Sequence, residues 1–461
     1  MNNRILLNDT IAAIATGVNN NAISIIKISG TEAINVVNKI FSKDLRKAKS
    51  HTITYGYILN DTEKVDEVLV SVFKAPKSFT CEDVVEINCH GGVFVTNKIL
   101  ELILENGARL AEPGEFTKRA FLNGRIDLTE AESIMDLIEA NTNQNLKLAT
   151  NGLTGKTKEL IKRYRNQVLE CLLAIEVNID YPEYEDEEQV TNRDLKPKLE
   201  KLLKEIDIVL DKSEVSRIIK EGIDTAIIGK PNVGKSSLLN ALLKEDKAIV
   251  TNIAGTTRDI VEGRVNIGGL VLNLIDTAGV RVTDDVVEKI GVDKALKALN
   301  DAELSLLVLD NSRKLNNVDI ELLNKSKNKE RVIIINKDDL ESEFDLCDIK
   351  DYLNDGEEVI YVSSYLDKDI EMLEKKIKDV CKISDSLNID ATYIGNARQI
   401  SKLKEAKSNL LQSMYDLNSN YPIDIVGVSI REAWINLGEI LGEENPDALI
   451  DEMFSRFCLG K

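Results

Sequence analysis

A phosphate-binding loop motif constrains the fold of this chain more than any other feature. Residues 229–237 read Gly-Lys-Pro-Asn-Val-Gly-Lys-Ser-Ser, between a strand-like run at 226–228 and a helical apolar pattern at 238–243. In this setting the glycines let backbone N–H groups converge on phosphates, the lysine reaches the β- and γ-phosphates, and the first serine offers its hydroxyl to Mg²⁺. A glycine-rich turn without a ligand, the alternative, does not explain why all these features coincide. The motif predicts a doubly wound α/β nucleotide domain whose phosphate contacts are Asn232, Val233, Gly234, Lys235, Ser236 and Ser237, with Ser236 on Mg²⁺.

Two further segments indicate that the base is guanine. Residues 336–339 read Asn-Lys-Asp-Asp after the strand-like run 332–335, and Ser363 and Ser364 follow the run 359–362. The Asp339 carboxylate can accept from both N1–H and the 2-amino group of guanine, a donor pair that adenine lacks. Taken alone, the Asn-Lys-Asp-Asp segment could be an ordinary charged loop. Together with the phosphate loop it predicts a GTP site that includes Asn336, Lys337 and Asp339.

The segments that would sense the γ-phosphate lie between these motifs. Residues 276–279 read Asp-Thr-Ala-Gly after the strand-like run 271–275, so that Asp276 can hold Mg²⁺ through water while the Gly279 N–H faces the γ-phosphate. Thr257, in the preceding segment 251–259, is the expected second hydroxyl ligand of Mg²⁺. Signalling GTPases usually carry a water-orienting glutamine directly after the glycine. This chain has Val280 there, so hydrolysis must be assisted in another way.

These segments resemble the potassium-activated GTPases of the tRNA modification family called MnmE or TrmE. The shared residues are Asn232, the Gly-Thr-Thr-Arg-Asp run at 255–259, and Asp-Thr-Ala-Gly. The resemblance implies that K⁺ takes the place of an arginine finger, with its charge against the leaving-group oxygens. It also implies that Glu288 orients the attacking water, although a solvated acid on a helix is the alternative. The implied K⁺ ligands are Asn232, Thr251, Ile253 and Thr256, and the switch residues at GTP are Thr251, Asn252, Ile253, Ala254, Gly255, Thr256, Thr257, Asp276, Thr277, Ala278 and Gly279.

The resemblance extends to both ends of the chain. Residues 457–461 read Phe-Cys-Leu-Gly-Lys, close to the family's F-C-[IL]-G-K signature, which implies a catalytic role for Cys458 on a mobile, exposed tail. A stray cytosolic cysteine is the alternative, while a prenylation box would need other residues at positions 460 and 461. Residues 79–92 resemble the family's F-T-x-E-D-x-x-E-x-x-x-H-G-G segment, and residues 113–128 resemble its next block.

The same resemblance implies a folate site in the N-terminal domain. The ligand would be a tetrahydrofolate derivative, 5-formyl- or methylene-tetrahydrofolate, with Lys27, Glu86, Arg125 and Lys461 around it. Glu86 suits this role because a pterin presents adjacent N–H donors much as guanine does. Without the family it would be a polar residue of an alternating strand. One departure is that residues 16–21, Thr-Gly-Val-Asn-Asn-Asn, replace the family's proline-glycine segment.

Changes of pattern predict a multidomain architecture, part α/β and part all-α. Residues 1–118 mix strand and helix patterns and would form an α/β domain for folate binding and dimerisation. Apolar residues recur every three or four positions in 119–216 and in 384–461, which predicts one helical domain in two pieces, the second with the Cys458 motif. The GTPase domain, 217–383, interrupts it. The acidic run 183–188 predicts a solvated interhelical loop.

Composition narrows the cellular setting. The 461 residues include six cysteines without a C-x-x-C pair, and no apolar run approaches the ~18 residues of a membrane helix. Neither a membrane association nor a signal peptide is indicated, and we expect a cytoplasmic protein. The net charge of -19 argues against an extensive basic footprint. Any contact with tRNA must therefore be local or shared with a partner.

The resemblance implies a K⁺-activated GTP hydrolase that forms a homodimer and works in a heterotetrameric complex with an FAD-dependent MnmG-type protein. The product would be a carboxymethylaminomethyl or aminomethyl-type group at C5 of the wobble uridine of certain tRNAs. The partner would supply the redox cofactor, because this chain has no dinucleotide fingerprint. Two alternatives stay open: a ribosome-assembly GTPase switch, and a GTP-independent folate-dependent aminomethyl transferase. The amine donor, glycine or ammonium, also stays open.

Overall fold

The computed structural model describes residues 9–180, 185–242, 263–268, 270–275, 296–381, 394–443, 447–455, 457 and 460. The described residues divide into two compact units, one within 1–138, 152–191 and 412–461 and the other within 139–151 and 192–411. The strands of the first unit are β1 (Ile11–Ile14), β2 (Ile23–Ser29), β3 (Thr52–Asn60), β4 (Glu63–Phe73), β5 (Val84–His90) and β6 (Arg109–Leu110). Those of the second are β7 (Ile223–Ile228), β8 (Arg264–Ile267), β9 (Leu270–Ile275), β10 (Leu304–Asp310), β11 (Glu330–Asn336) and β12 (Val359–Val362).

The helices are named in the same way, in chain order. They are α1 (Ala33–Ile40), α2 (Val93–Glu105), α3 (Glu115–Leu122), α4 (Leu128–Glu139), α5 (Asn143–Leu153), α6 (Lys156–Asp180), α7 (Glu185–Glu221), α8 (Lys235–Leu242), α9 (Asn317–Ser326), α10 (Asp367–Val380), α11 (Ala397–Asn418), α12 (Ile423–Leu441) and α13 (Asp447–Ser455). No helix in the described part of the chain is long and apolar enough to span a bilayer.

The sheet of the first unit has one face in the core and one face available for a site. Its strands lie in the order β3-β4-β5-β2-β1-β6, antiparallel except for the pair β1 and β6. Alternate apolar residues of β2, β4 and β5 pack with α1 and α2, as period-two patterning dictates. The intervening residues, among them Lys27 and Glu86, occupy the opposite face.

Helices complete the first unit. α6 packs along α12, where the small Gly427 lets Ile175 approach closely. α13 lies beside α3, and its Phe454 joins Phe457, Ile450 and Leu128 in a small apolar cluster. In both units together, helices account for the described chain from α3 to α7 and again from α11 onwards, as the apolar spacing predicted.

The second unit contains a doubly wound α/β domain. Its strands lie in the order β12-β11-β10-β7-β9-β8, parallel except for the antiparallel edge pair β8 and β9. α8 and α10 cover one face of the sheet, and α9 covers the other. β10 and β11, both inside the sheet, are almost wholly buried, which explains their continuous apolar sequences. The carboxyl ends of β7, β10, β11 and β12 therefore meet at one edge, where open α/β sheets bind ligands.

One local expectation was wrong. Residues 185–188 of the acidic run belong to α7 and not to a loop. Glutamate is a good helix former, and acidic side chains at a helix N-terminus are stabilised by the helix dipole. The division into four domain segments stays a prediction.

Candidate functional site

The phosphate loop joins β7 to α8 with a backbone that only particular residues allow. Gly229 and Gly234 have φ of 152° and 96°, and Asn232, at 65°, is a residue type that tolerates the left-handed region. A Cβ at Gly229 would collide with the Val308 carbonyl of β10, and one at Gly234 with the Asn336 side chain. α8 begins directly at Lys235, so its first N–H groups face the loop.

Lys235 occupies an unusual electrostatic position. Its Nζ donates to the carbonyl oxygens of Gly229, at 2.8 Å, and Lys230, at 2.5 Å. Burial lowers the pKa of Lys235 to about 8. Neutral carbonyls stabilise a desolvated ammonium less than an anion does. The buried Lys235 ammonium is therefore suited to pair with a phosphate group.

The loop of residues 336–339, here called the base loop, is hydrogen-bonded to the phosphate loop. Asn336 is buried at the end of β11, and its Nδ2 donates to the Val233 carbonyl at 2.8 Å. Ser364 Oγ donates to Asn336 Oδ1 at 2.9 Å, and Ser363 Oγ donates to Asp339 Oδ1 at 2.8 Å. The structure thus brings together the phosphate loop, the Asn-Lys-Asp-Asp segment and the serine pair that the sequence placed at the nucleotide.

One hydrogen-bond partner of the base loop, Asp310, was not predicted from the sequence. Lys337, with φ of 66°, donates from Nζ to Asp310 Oδ2 at 2.7 Å at the end of β10. Burial alone would raise the pKa of Asp310, but hydrogen bonds from Lys337 and Ser312 hold it below its usual range. The position of Asp310 at the end of the apolar run of β10 could have indicated this role.

Several residues predicted to bind GTP or cations, and the predicted catalytic residue Glu288, lie outside the described residues. They are Thr251, Asn252, Ile253, Ala254, Gly255, Thr256, Thr257, Asp276, Thr277, Ala278, Gly279 and Glu288. Of the K⁺ ligands only Asn232 is described, and of the Mg²⁺ ligands only Ser236. Among the described residues, no cluster of three or more His, Cys, Asp and Glu side chains has a metal-binding arrangement.

A second cluster lies on the open sheet face of the first unit. Lys27 of β2 and Glu86 of β5 are direct cross-strand neighbours. The buried Lys27 Nζ lies 4.1 Å from the ring centre of Phe79 and 4.7 Å from that of Phe116. Arg125 donates to the Phe79 carbonyl at 3.0 Å, and its Cζ lies 4.8 Å from the same ring. Two cations, two aromatic rings and a carboxylate therefore share one site, which we call the cation–aromatic cluster.

This cluster contains three of the four residues predicted around folate, together with two aromatic residues that were not predicted. Its chemistry fits a ligand with an aromatic ring, N–H donors and carboxylates. Phe79 is the first residue of the segment 79–92, and the resemblance of that segment to the family could have indicated a role for the ring. Phe116 occupies the family-like block that begins at residue 113.

The loop that carries Phe79 is fixed by buried charges. Arg119 is fully buried and donates to Glu82 at 3.2 Å, to Glu115 at 3.0 Å and to Asp9 at 2.7 Å. Although burial disfavours its charged form, these carboxylates hold the pKa of Arg119 above its ordinary value. Asn123 Nδ2 donates to the Thr80 carbonyl at 2.6 Å. The Phe79 ring is therefore presented by an ordered backbone.

Both described neighbours of Cys458 lie on the first unit. Phe457 is buried in the apolar cluster with Phe454. Gly460, with φ of 88°, lies so close to β1 that a Cβ would come within 2.6 Å of the Ile14 carbonyl oxygen. Cys458 and Lys461 themselves, and the expected exposure of the thiol, lie outside the described residues.

Comparison with known proteins places the whole chain in one family. The model of the MnmE helical domain matches residues 128–458, and that of the GTP-binding protein TrmE N-terminus matches residues 10–125. The tRNA modification GTPase MnmE of Bacillus licheniformis is 49% identical over 98% of this chain and 100% of the relative. That of Streptococcus thermophilus is 50% identical over 98% of both chains.

Solved structures add little to this assignment. The G domain of the FeoB iron transporter of T. maritima matches 34% of this chain and 98% of its own, at 28% identity and a TM-score of 0.25. That score is too low to support an inference. About half of all residues are identical to those of these relatives along the full length, and both family models match. This chain therefore belongs to the MnmE family of tRNA modification GTPases.

Proposed function

We propose that this GTPase is activated by K⁺ and that it acts with an FAD-dependent partner on the wobble uridine of certain tRNAs. A carboxymethylaminomethyl or aminomethyl-type group would be added at C5, with its one-carbon unit from a tetrahydrofolate derivative. The observation that carries the proposal is the cation–aromatic cluster around Lys27 and Phe79. A GTPase that works only as a ribosome-assembly switch has no use for a second small-molecule site.

The phosphate loop and the base loop account for GTP binding in this proposal. Lys235 pairs with the β- and γ-phosphates, and Asp339 accepts from the guanine N–H groups. Ser236 and Thr257 hold Mg²⁺ through their hydroxyls. Glu288 orients the attacking water because Val280 cannot. The desolvated Lys235 supports the first of these roles directly.

Potassium would supply the charge that other GTPases take from an arginine finger. Asn232 lies in the phosphate loop with a left-handed backbone, which supports its role as one ligand. Thr251, Ile253 and Thr256 would provide further oxygens. Preorganised charge next to the leaving-group oxygens stabilises the transition state more than the ground state.

Folate would bind at the cation–aromatic cluster. Glu86 accepts from the pterin N–H groups, while Lys27, Arg125 and Lys461 provide positive charge for its acidic groups. Bound folate supplies the one-carbon unit. Cys458 would act on the same side of the molecule, because its neighbour Gly460 lies against β1.

The partner completes the chemistry in this proposal. An MnmG-type protein brings FAD, in a heterotetrameric complex with a homodimer of this chain. Because the substrate is tRNA, we propose that the complex works in the cytoplasm. The GTPase domains would open and close the dimer as GTP binds and is hydrolysed.

The test is to measure modified wobble uridine by mass spectrometry in a deletion strain that carries variants of this chain. We expect Cys458→Ser to abolish the modification and to leave GTP hydrolysis nearly intact, because a hydroxyl lacks thiolate character. Cys347→Ser is the matched control, since Cys347 is an exposed thiol in the second unit. If Cys458→Ser restores the modified nucleoside as the control does, the catalytic role of Cys458 is refuted.

Two further measurements separate the alternatives. Purified protein that binds no tetrahydrofolate derivative would favour the ribosome-assembly switch. Modification that persists in a Lys235→Ala strain would favour a GTP-independent transferase. We expect folate binding in the first measurement and loss of modification in the second.

A further inference from the structure

A basic surface at one end of the β3–β4 hairpin has no part in the function proposed so far. It consists of Lys43, Arg46, Lys47 and Lys49 before β3, and of Lys74 and Lys77 after β4. Residues 39–49 include five basic residues and one acidic residue, in a chain with 78 acidic and 59 basic residues. The local charge is thus opposite in sign to that of the whole chain, and such a contrast marks a surface for an anionic partner.

The first loop of the basic surface is held in place by its backbone. Leu45 is fully buried, and its N–H donates to Asn38 Oδ1 at 2.8 Å. The Ala48 N–H donates to the Leu45 carbonyl at 2.9 Å, and Thr52 Oγ1 donates to the Lys49 carbonyl at 2.6 Å. Lys43, Lys47 and Lys49 are exposed around this buried anchor. Their charges therefore stand on an ordered loop, so that less backbone entropy is lost on binding.

The second loop adds its charges to the first. Lys74 donates from its N–H to Ser50 Oγ at 2.9 Å and from Nζ to the Arg46 carbonyl at 3.3 Å. Asp44 pairs with Arg46 at 2.9 Å, and Asp83 accepts from the Ala75 N–H at 2.9 Å. These two carboxylates reduce the positive charge without reversing it.

Two tyrosines of β3 lie next to the basic surface, beside Glu67 of β4. Lys43 Nζ lies 5.4 Å from the ring centre of Tyr55, and Lys64 Nζ lies 4.0 Å from that of Tyr57. The two hydroxyls are 3.1 Å apart, and the Tyr55 side chain is half-exposed. Lysines that alternate with aromatic rings suit RNA, because phosphates pair with the amines and unpaired bases stack on the rings.

We propose that the basic surface binds the phosphate backbone of tRNA directly. The proposal rests on the proposed function, which requires a tRNA to reach this unit, and it adds a contact made by this chain itself. Lys77 is two residues from Phe79 on the same loop, so RNA bound at the basic surface would run beside the cation–aromatic cluster. An acidic protein is the other occupant that charge allows, and the tyrosines favour RNA over it.

Binding through phosphates has a measurable signature. Each lysine that neutralises a phosphate releases a counterion, so affinity falls as salt rises. Removing one such lysine lowers the slope of log affinity against log salt by about 1. Loss of three contacts should therefore reduce the slope by about 3 and raise Kd by at least about tenfold near 0.1 M salt.

The experiment compares Lys47→Gln/Lys49→Gln/Lys77→Gln with the wild-type chain. Fluorescence anisotropy would follow an unmodified tRNA transcript on the full-length protein, without folate or partner, over a range of KCl concentrations. The matched control is Lys314→Gln/Lys350→Gln/Lys368→Gln, which removes three exposed lysines from the second unit. We expect GTP hydrolysis to stay unchanged in both variants, which also reports correct folding.

Three results would overturn the proposal. One is that the wild-type chain does not bind the transcript at low salt, and another is that the basic-surface variant binds as tightly and with the same salt slope as the control. The third is unchanged tRNA affinity with lost binding to the FAD-dependent partner, which would assign the surface to a protein. Failure of the proposed function is seen separately, as absence of the modified wobble nucleoside in cells that carry the wild-type chain.

Discussion

Substitution of Asn336 by alanine tests whether the hydrogen bond between the base loop and the phosphate loop matters for nucleotide binding. Asn336 is 2% exposed, and Val233 is almost fully buried. Without the amide, the Val233 carbonyl loses its 2.8 Å donor and Ser364 loses its 2.9 Å acceptor. A buried polar group left without a partner costs about 1–3 kcal/mol. We expect the free energy of unfolding of the nucleotide-free protein to fall by about that amount.

The effect on affinity follows from a different quantity. A hydrogen bond present both with and without nucleotide cancels in the binding equilibrium, so its own energy does not lower affinity. In the variant, however, the phosphate loop is no longer held against the base loop before GTP arrives, and ordering one residue costs about 1–2 kcal/mol. If one or two residues must be ordered on binding, the loss is about 2 kcal/mol. That corresponds to roughly a thirtyfold higher Kd.

The assay is equilibrium binding of a fluorescent GDP, together with urea unfolding of the nucleotide-free protein. Asn354→Ala is the control, because its Nδ2 also donates to a carbonyl, that of Lys327 at 3.0 Å, but in an exposed position. We expect the control to change affinity less than twofold. If Asn336→Ala loses stability but keeps its affinity, other contacts hold the two loops and the reasoning is refuted.

Three further predictions concern charge. Burial lowers the pKa of Lys235 to about 8 from 10.5, so the unfolded chain binds more protons in that window. Stability of the nucleotide-free protein should rise with pH across it, while GDP affinity should fall above pH 8; an affinity that is constant from pH 7 to 10 would contradict this. Asn232→Ala should reduce K⁺-stimulated GTP turnover roughly a hundred- to a thousandfold, and equal wild-type turnover in Na⁺ and K⁺ would exclude a K⁺ role. Phe79→Leu should weaken binding of a tetrahydrofolate derivative roughly two- to tenfold, because the ring would stack on the ligand and an aromatic pair is worth about 0.5–1.5 kcal/mol beyond its buried area; the exposed Phe94→Leu is its control, and equal affinities in the two would reject the role of the ring.

The sequence was most informative where structure is local. The phosphate loop lies between β7 and α8 as its flanking patterns predicted, because glycine, lysine and serine act within one turn of chain. The strands β9, β11 and β12 were indicated by β-branched and apolar runs. β10 was not singled out, since a buried apolar run does not by itself distinguish a strand from a helix.

Contacts between distant residues were beyond the sequence. Asn336 and Val233 are 103 positions apart, and nothing in either segment indicates that the amide donates to that carbonyl. The pairing of Lys27 with Glu86 depends on strand register, and the position of Phe79 beneath Lys27 depends on the buried Arg119 network. Strand register and buried ion pairs depend on the packing of the whole unit, so local sequence patterns do not predict them.

The contact of Gly460 with Ile14 has a consequence for synthesis on the ribosome. Roughly four hundred and fifty residues separate the two positions, although both belong to one compact unit. At about 5–20 residues per second, β1 emerges tens of seconds before the segment that packs on it. During that interval the β1 end of the sheet lacks this cover, and Phe457 is not yet present to fill its apolar cluster. Folding of the first unit can therefore be completed only when translation is nearly over, whereas the GTPase domain can already have folded by then.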